Sequence, residues 1–469
     1  MPPRTLLRGT LRRLLTSLGA SAESTLSLEY APALQPPVPA PGPPAAAEDW
    51  VASLAGCESL LAAGLFNGRV LLRSAPGGGR GAGAPLSLQA HAGAVHGLAL
   101  LELSGARALL ASCGADGRAG LWEVAGAGAR GGAPTAEPRA SLAGAAAGLT
   151  CCALDPTGQL LAAGDAAGGL AVWAATAAPA VSVGAGAGAK RARAPGAEPP
   201  GGALVAACDR APLGVLAAAH APAGPLSGVG WSGGPATLVS AGWGDACLRV
   251  WAVRLVPGGG AALALSHALA MPSHQAPTGL ALSPSGALAA TAHADGRLRV
   301  WRMGAAGGGD GPEQPAAGGG SGSLLATLAL PQPAPPSAPG GPQSTAWVAA
   351  LSWCPASAHL LAAVGHSGAA AVFDVRAPPA PLFELQRHCA PSGAPARALA
   401  VCWAGARAPT AGEGLGAGAH VGACEGLAVV SGGADQRLRV SAWGAVVEED
   451  ALAAPAPVVT KKGGKGGKA

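Results

Sequence analysis

The chain has 469 residues, 49% hydrophobic but only 3% aromatic and 12% charged, with 75 glycines, 43 prolines and a net charge of +5. No run of large apolar residues reaches the roughly 18 needed to cross a membrane. Ten cysteines without a Cys-x-x-Cys pair offer neither a zinc knuckle nor a simple disulfide framework. The length suits one large β domain or two to three ordinary ones. That much Gly and Pro without a collagen period predicts many turns and low-complexity insertions.

Residues 1–22 carry Arg4, Arg8, Arg12, Arg13, several Leu and Ser, and no acid, a composition shared with organelle transit peptides. The stretch GASAESTLSLEYAPALQPPVPAPGPPAAAEDWVASL follows at 19–54, with its prolines concentrated in PPVPAPGPP at 36–44.

From there a pattern recurs: an apolar run, a small residue, a tight turn, and an alternating strand that usually ends in an aromatic. It reads GLFNGRVLLRS at 64–74, GADGRAGLW at 114–122, GDAAGGLAVW at 164–173 and GWGDACLRVW at 242–251. It returns as AHADGRLRVW at 292–301, GHSGAAAVFDVR at 365–376 and GGADQRLRVS at 432–441, seven occurrences in all. An Asp-Gly or Asn-Gly pair supplies the positive φ that a tight hairpin needs. Alternation such as Leu298 and Val300 against Arg297 and Arg299 marks a strand with one buried and one wet face. Trp122, Trp173, Trp251, Trp301 and Phe373 close their repeats as large apolar groups suited to packing between sheets. A further strand precedes most hairpins, as in PLSGVGW at 225–231 and RALAVCW at 397–403. Three strands and a variable outer one make a blade, and radial repetition protects the edges. The fold class is therefore all-β, a seven-bladed β-propeller. Repeat seven lacks an outer strand of its own, and either the residues before Glu48 or Gly444–Val447 are expected to supply it.

Trp122 to Trp173 spans 51 positions and Trp173 to Trp251 spans 78, against blades of about 40–45 residues. The surplus lies in low-complexity segments at 73–85, 174–203, 303–323 and 331–344, expected to project as loops. Lys190, Arg191 and Arg193 in one of them read either as a nuclear import signal or as a solvated loop. Lys461, Lys462, Lys465 and Lys468 lie among glycines in the tail and form no surface, so direct RNA contact stays open. Cys113, Cys247 and Cys402 fall in apolar strand-like runs, where a free thiol acts as a small hydrophobe. We read them as belonging to a reducing compartment.

No enzyme signal survives. GWSGG at 230–234 leads from one strand into another, so Ser232 is a turn residue rather than a nucleophile on a strand–helix elbow. The glycine-rich stretches lack the Gly-Lys-Ser/Thr ending of a phosphate loop. His91, His220 and His293 fall at repeat-like positions without a carboxylate at catalytic spacing. Asp116, Asp245, Asp295 and Asp435 read as turn residues tying each hairpin to the preceding loop, in preference to catalytic acids. No cofactor and no metal held by the chain alone is expected.

The junction at 19–54 resembles that of the WD-repeat subunit of the Pescadillo–Bop (PeBoW) complex, the Ytm-type WD-repeat protein. The matching residues are Gly19, Ser21, Glu23, Leu26–Leu28, Glu29 and Tyr30, then the proline-rich linker, then Asp49, Trp50, Val51 and Ser53. LLRGTLRRLLTSL at 6–18 is similar to the family's penultimate ubiquitin-like segment, which competes with the transit-peptide reading of the same residues. The resemblance divides the chain into a truncated ubiquitin-like segment (1–30), a Pro-rich linker (31–47), the WD-repeat propeller (48–445) and a disordered basic tail (446–469). It implies a nuclear, nucleolar and nucleoplasmic scaffold in large-subunit (60S) ribosome biogenesis and rRNA processing. Implied partners are Bop-like and Pescadillo-like proteins, the pre-60S particle and the midasin-type AAA ATPase, with no membrane. Glu23 matches the family acid that completes a metal site held by midasin, a role suited to a hard carboxylate oxygen. The other reading of Glu23 is a solvated loop acid. The alternative function is a general WD-repeat adaptor, such as a ubiquitin-ligase substrate receptor.

Overall fold

The structure, a computed structural model, describes residues 38–39, 45–47, 49–75, 85–103, 107–125, 134–145, 147–175, 209–220, 224–232, 237–256, 260–271, 275–303, 322–331, 347–377, 380–405 and 427–442. Glu23, Tyr30, most of the low-complexity insertions and the basic tail lie outside them.

Two short strands, β1 (Val38–Pro39) and β2 (Ala45–Ala46), come first. Blade one is β3 (Val51–Gly56), β4 (Leu60–Leu65), β5 (Arg69–Ser74) and β6 (Leu86–Gln89). Blade two is β7 (Val95–Glu102), β8 (Arg107–Gly114), β9 (Ala119–Ala125) and β10 (Thr135–Leu142). Blade three holds β11 (Leu149–Leu154), β12 (Leu160–Asp165) and β13 (Leu170–Ala174). Ahead of its last strand, β14 (Asp209–Arg210) adds in parallel to the edge of β10, and β15 (Gly214–Leu216) then completes blade three. Blade four is β16 (Leu226–Trp231), β17 (Thr237–Gly242), β18 (Cys247–Val256) and β19 (Gly260–Ala270). Blade five is β20 (Pro277–Leu282), β21 (Leu288–His293), β22 (Arg297–Arg302) and β23 (Ser323–Ala329). Blade six is β24 (Val348–Trp353), β25 (Leu360–Gly365), β26 (Ala370–Asp374) and β27 (Phe383–Glu384). Blade seven is β28 (Ala398–Ala404), β29 (Ala428–Gly433) and β30 (Arg437–Ala442), with β1 and β2 both pairing antiparallel to β30.

The ring is therefore closed by residues before Glu48, one of the two expected sources; Gly444–Val447 lies outside the described residues. A backbone bond repeats around the ring and explains why this closure works. The residue at the left-handed position of one hairpin turn offers its carbonyl to an amide that leads toward the next blade. His91 donates to Gly68, His220 to Gly168, Met271 to Ala246, Leu330 to Gly296 and His388 to Gly368. At the seventh junction Ala47 donates to Gln436 at 2.8 Å, so the N-terminal segment makes the bond that the outer loop makes at these five junctions.

Seven separate apolar cores lie between neighbouring sheets, one per junction. Trp122 fills that of blades one and two, Trp173 that of two and three, and Phe373 that of five and six. The junction of blades seven and one has no aromatic among its fully packed members and is filled by Leu, Val, Ala and Cys402. Each inner strand bulges near its start, where two residues oppose one on the next strand. Two of the freed residues bond to the neighbouring blade, Thr150 Oγ1 donating to Leu226 O at 2.6 Å and Thr278 Oγ1 to Val348 O at 2.5 Å, and Ser53 Oγ, next to such a bulge, donates to Val95 O at 2.8 Å. Trp231, Trp353 and Trp403 donate their indole N–H to carbonyls of the preceding blade's inner strand, Ala153, Ala281 and Ser352.

Candidate protein-docking face

The repeat aspartates sit at the hairpin turns, and the structure corrects one expectation about the histidines. His91 Nδ1 donates to Asp116 at 3.0 Å while its Nε2 lies 2.9 Å from Ser112 Oγ. His220 stands likewise between Asp245 (2.9 Å) and Ser240 (2.7 Å), and His388 between Asp435 and Ser431 (2.8 Å each). Carboxylates are thus paired with these histidines in space, though 25, 25 and 47 positions away in sequence. The arrangement has the connectivity of an acyl-transfer triad, but the hydroxyls are sealed. Ser112 and Ser240 are fully buried. Their Oγ atoms also accept the indole N–H of Trp122 and Trp251. A nucleophile without access to a substrate is a structural hydrogen-bond hub.

Blade five builds the hub from other parts. His293 comes from the strand itself, its Nε2 2.9 Å from Thr291 Oγ1, which accepts from Trp301. In blades two and four the equivalent residue is Gly114 or Gly242, where an added Cβ would fall 2.7 Å or 2.2 Å from the incoming His91 or His220 ring. One histidine thus fills the space from either direction. Asp295 accepts from Arg299 at 2.8 Å, as Asp245 does from Arg249 and Asp435 from Arg439. Burial alone would raise Asp116, Asp295 and Asp435, but bonds from His91, Arg299 and His388 respectively hold all three below the usual carboxylate range. Burial, aided by the Arg299 charge, pushes His293 down to about 4. Burial likewise lowers His220, opposed by its bond to Asp245.

Trp173 and Phe373 are fully buried and Trp122, Trp251 and Trp301 nearly so, so these repeat-closing residues are core and have no outward surface. Ser232 follows β16 and donates its hydroxyl to Gly286 O. Among the described residues no group of three His, Cys, Asp or Glu could hold a metal, and no helix is long and apolar enough to cross a membrane.

The surface that departs from the repeat is a face around the channel mouth, where the tight turns and the starts of the inner strands meet. The residue after each second strand is Phe66, Ala115, Ala166, Trp243, Ala294, His366 or Ala434. The residue before each inner strand is Trp50, Ala94, Gly148, Pro225, Ala276, Trp347 or Arg397. In six blades the first donates its amide to the carbonyl of the second, which fixes both rings of positions on one face. Small residues or proline occupy most places, and the large ones run in an arc from blade four to blade one. Trp243 and Trp347 lie with centroids 5.6 Å apart, and His366 stacks on Trp347 at 5.5 Å. Burial and the charge of Arg397 lower the pKa of His366. Trp50 and Phe66 pack edge to face at 5.6 Å, 43% and 44% exposed. Sequence reasoning used Trp50 only as a junction match and passed over the others, because the repeat is recognised by what is shared. The available signal was the converse, aromatic residues at places where sister repeats carry Ala or Gly.

A family model for the WD domain, G-beta repeat, matches residues 136–173 and 267–302. Both matches start on the outer strand of one sheet and end on the third strand of the next, so the sequence repeat is offset by one strand from the structural blade. A protein of Chlamydomonas reinhardtii described as "Ribosome biogenesis protein WDR12 homolog" is 29% identical over 449 residues, covering 93% of this chain and 85% of its own. This similarity and the N-terminal junction point to the same family, the Ytm-type WD-repeat proteins.

Proposed function

We propose that this seven-bladed WD-repeat chain is a non-catalytic scaffold in large-subunit ribosome biogenesis and in maturation of its ribosomal RNA. In this reading it links a Bop/Pescadillo-type complex to the midasin ATPase in the nucleolus and nucleoplasm. The similarity to a ribosome-biogenesis protein supports the process. The observation that carries the binding role is the arc of Trp50, Phe66, Trp243, Trp347, His366 and Arg397 on one face. Trp and Arg are enriched in binding hot spots, Trp because it buries a large area with two rotatable bonds and Arg because its planar guanidinium stacks and donates several hydrogen bonds, and this chain spends three of its eleven tryptophans on that face.

Affinity purification of the full chain tests the reading: Pescadillo- and Bop-like proteins should be recovered with pre-ribosomal RNA. Consistent recovery of cullin-ligase subunits in their place would favour the general adaptor and sink this one. Glu23 is proposed as the acid that reaches the midasin-held metal. Glu23→Ala should weaken midasin-dependent release and leave Bop-type binding unchanged; normal release in that variant removes the role.

A further inference from the structure

Outer strands in this propeller are short. β6 has four residues, β15 three, β23 seven and β27 two. Two exceed that length. β10 has eight residues, and the chain covers its edge with β14, pairing Ser141 with Asp209 and Leu142 with Arg210. β19 has eleven, and among the described strands only β18 pairs with it. Solvent-facing edges are normally blunted by charge, proline or brevity, yet Gly260–Ala270 contains no charged residue and no proline. Apolar side chains stand exposed beside it: Leu255, Val256 and Leu265 on the same hairpin, Leu324 and Leu325 on the next outer strand.

We propose that the outer edge of β19 accepts an extended, uncharged segment of another subunit of the assembly as a fifth strand; this rests on the scaffold reading above. Strand addition of this kind gains affinity from backbone bonds and specificity from alternate side chains. Ala261 already donates outward to Leu213 O of blade three. In an antiparallel pair alternate residues direct their N–H and C=O groups the same way, so 263 and 265 face the same side as Ala261. Because the blade-three segment occupies one end, the open stretch suits a short inserted segment better than the full edge of a second propeller. β18 starts at the tight turn and ends at the opposite side of the sheet, so the β18–β19 tip lies away from the aromatic arc. Both sites are open to occupation at once.

Backbone hydrogen exchange of the full chain, alone and in the purified complex with its Pescadillo- and Bop-like partners, tests this. The outward-facing amides within 263–270, those of Leu263 and Leu265 among them, should exchange about tenfold or more slowly in the complex. Leu265→Lys should abolish that protection while keeping the melting temperature and the interaction at the aromatic face. Unchanged exchange over 263–270 in that complex overturns the proposal and leaves the scaffold reading standing. So does a dimer of the free chain with these amides already protected, since the occupant is then a second copy. Absence of those partners from the purified complex is the failure of the scaffold reading and removes both.

Discussion

Trp173 has no solvent exposure and packs among Leu121, Leu142, Leu161 and Ala171 between blades two and three. Trp173→Ala opens a cavity there and should cost about 3–5 kcal/mol, read as a lower denaturant midpoint. His293 makes a different prediction. Its folded pKa of about 4 lies below the ordinary 6.5, so the unfolded chain binds the proton first. Its contribution to stability is complete above pH 6.5 and is lost as the pH falls toward 4, by an amount on the order of 3 kcal/mol. Asp116, Asp295 and Asp435 add a loss at still lower pH, because their depressed pKa values favour the folded state only while they are ionised. Thermal melts from pH 7 to 4 should show the decline, and His293→Gln should flatten its upper part.

The hairpin is the element the residues spell most clearly. Its left-handed place is glycine in five blades, as at Gly368 with φ 75°, but Ala246 (50°) and Gln436 (58°) in the others. Gln436→Gly relieves a strain of about 1–2 kcal/mol against a chain-entropy cost of about 0.5–1. It should raise the melting temperature slightly. Gly368→Ala should lower it, since the new Cβ would meet His388 O at 2.4 Å. The closing element was much less legible. Val38–Pro39 and Ala45–Ala46 are two residues each, in a proline-rich stretch with no alternation. They pair because β30 leaves an edge open beside them. Removing residues 38–47 should cost a few kcal/mol, at about 1 per backbone bond lost, and speed proteolysis of blade seven; an unchanged melt would show the closure to be dispensable.

For the whole molecule the decisive test is separation of folding from docking. Trp347→Ala should leave the melting temperature within about 2 °C, since Trp347 belongs to none of the seven inter-blade cores, while weakening capture of the Bop-like partner about tenfold or more. Equal capture by the variant would move the docking site elsewhere on the propeller.

The sequence by itself determined the seven hairpins, the blade count and the all-β class, because turn chemistry and alternation act within one repeat. It carried the His–Asp pairing only as a faint regularity, 25 positions in two blades, since a loop from one blade meets a turn of the next. Ring closure, the aromatic arc and the edge of β19, which no described strand besides β18 pairs with, were settled by tertiary structure alone. Each depends on which strands become neighbours once the ring shuts, and that choice is made by packing between blades rather than by any local pattern.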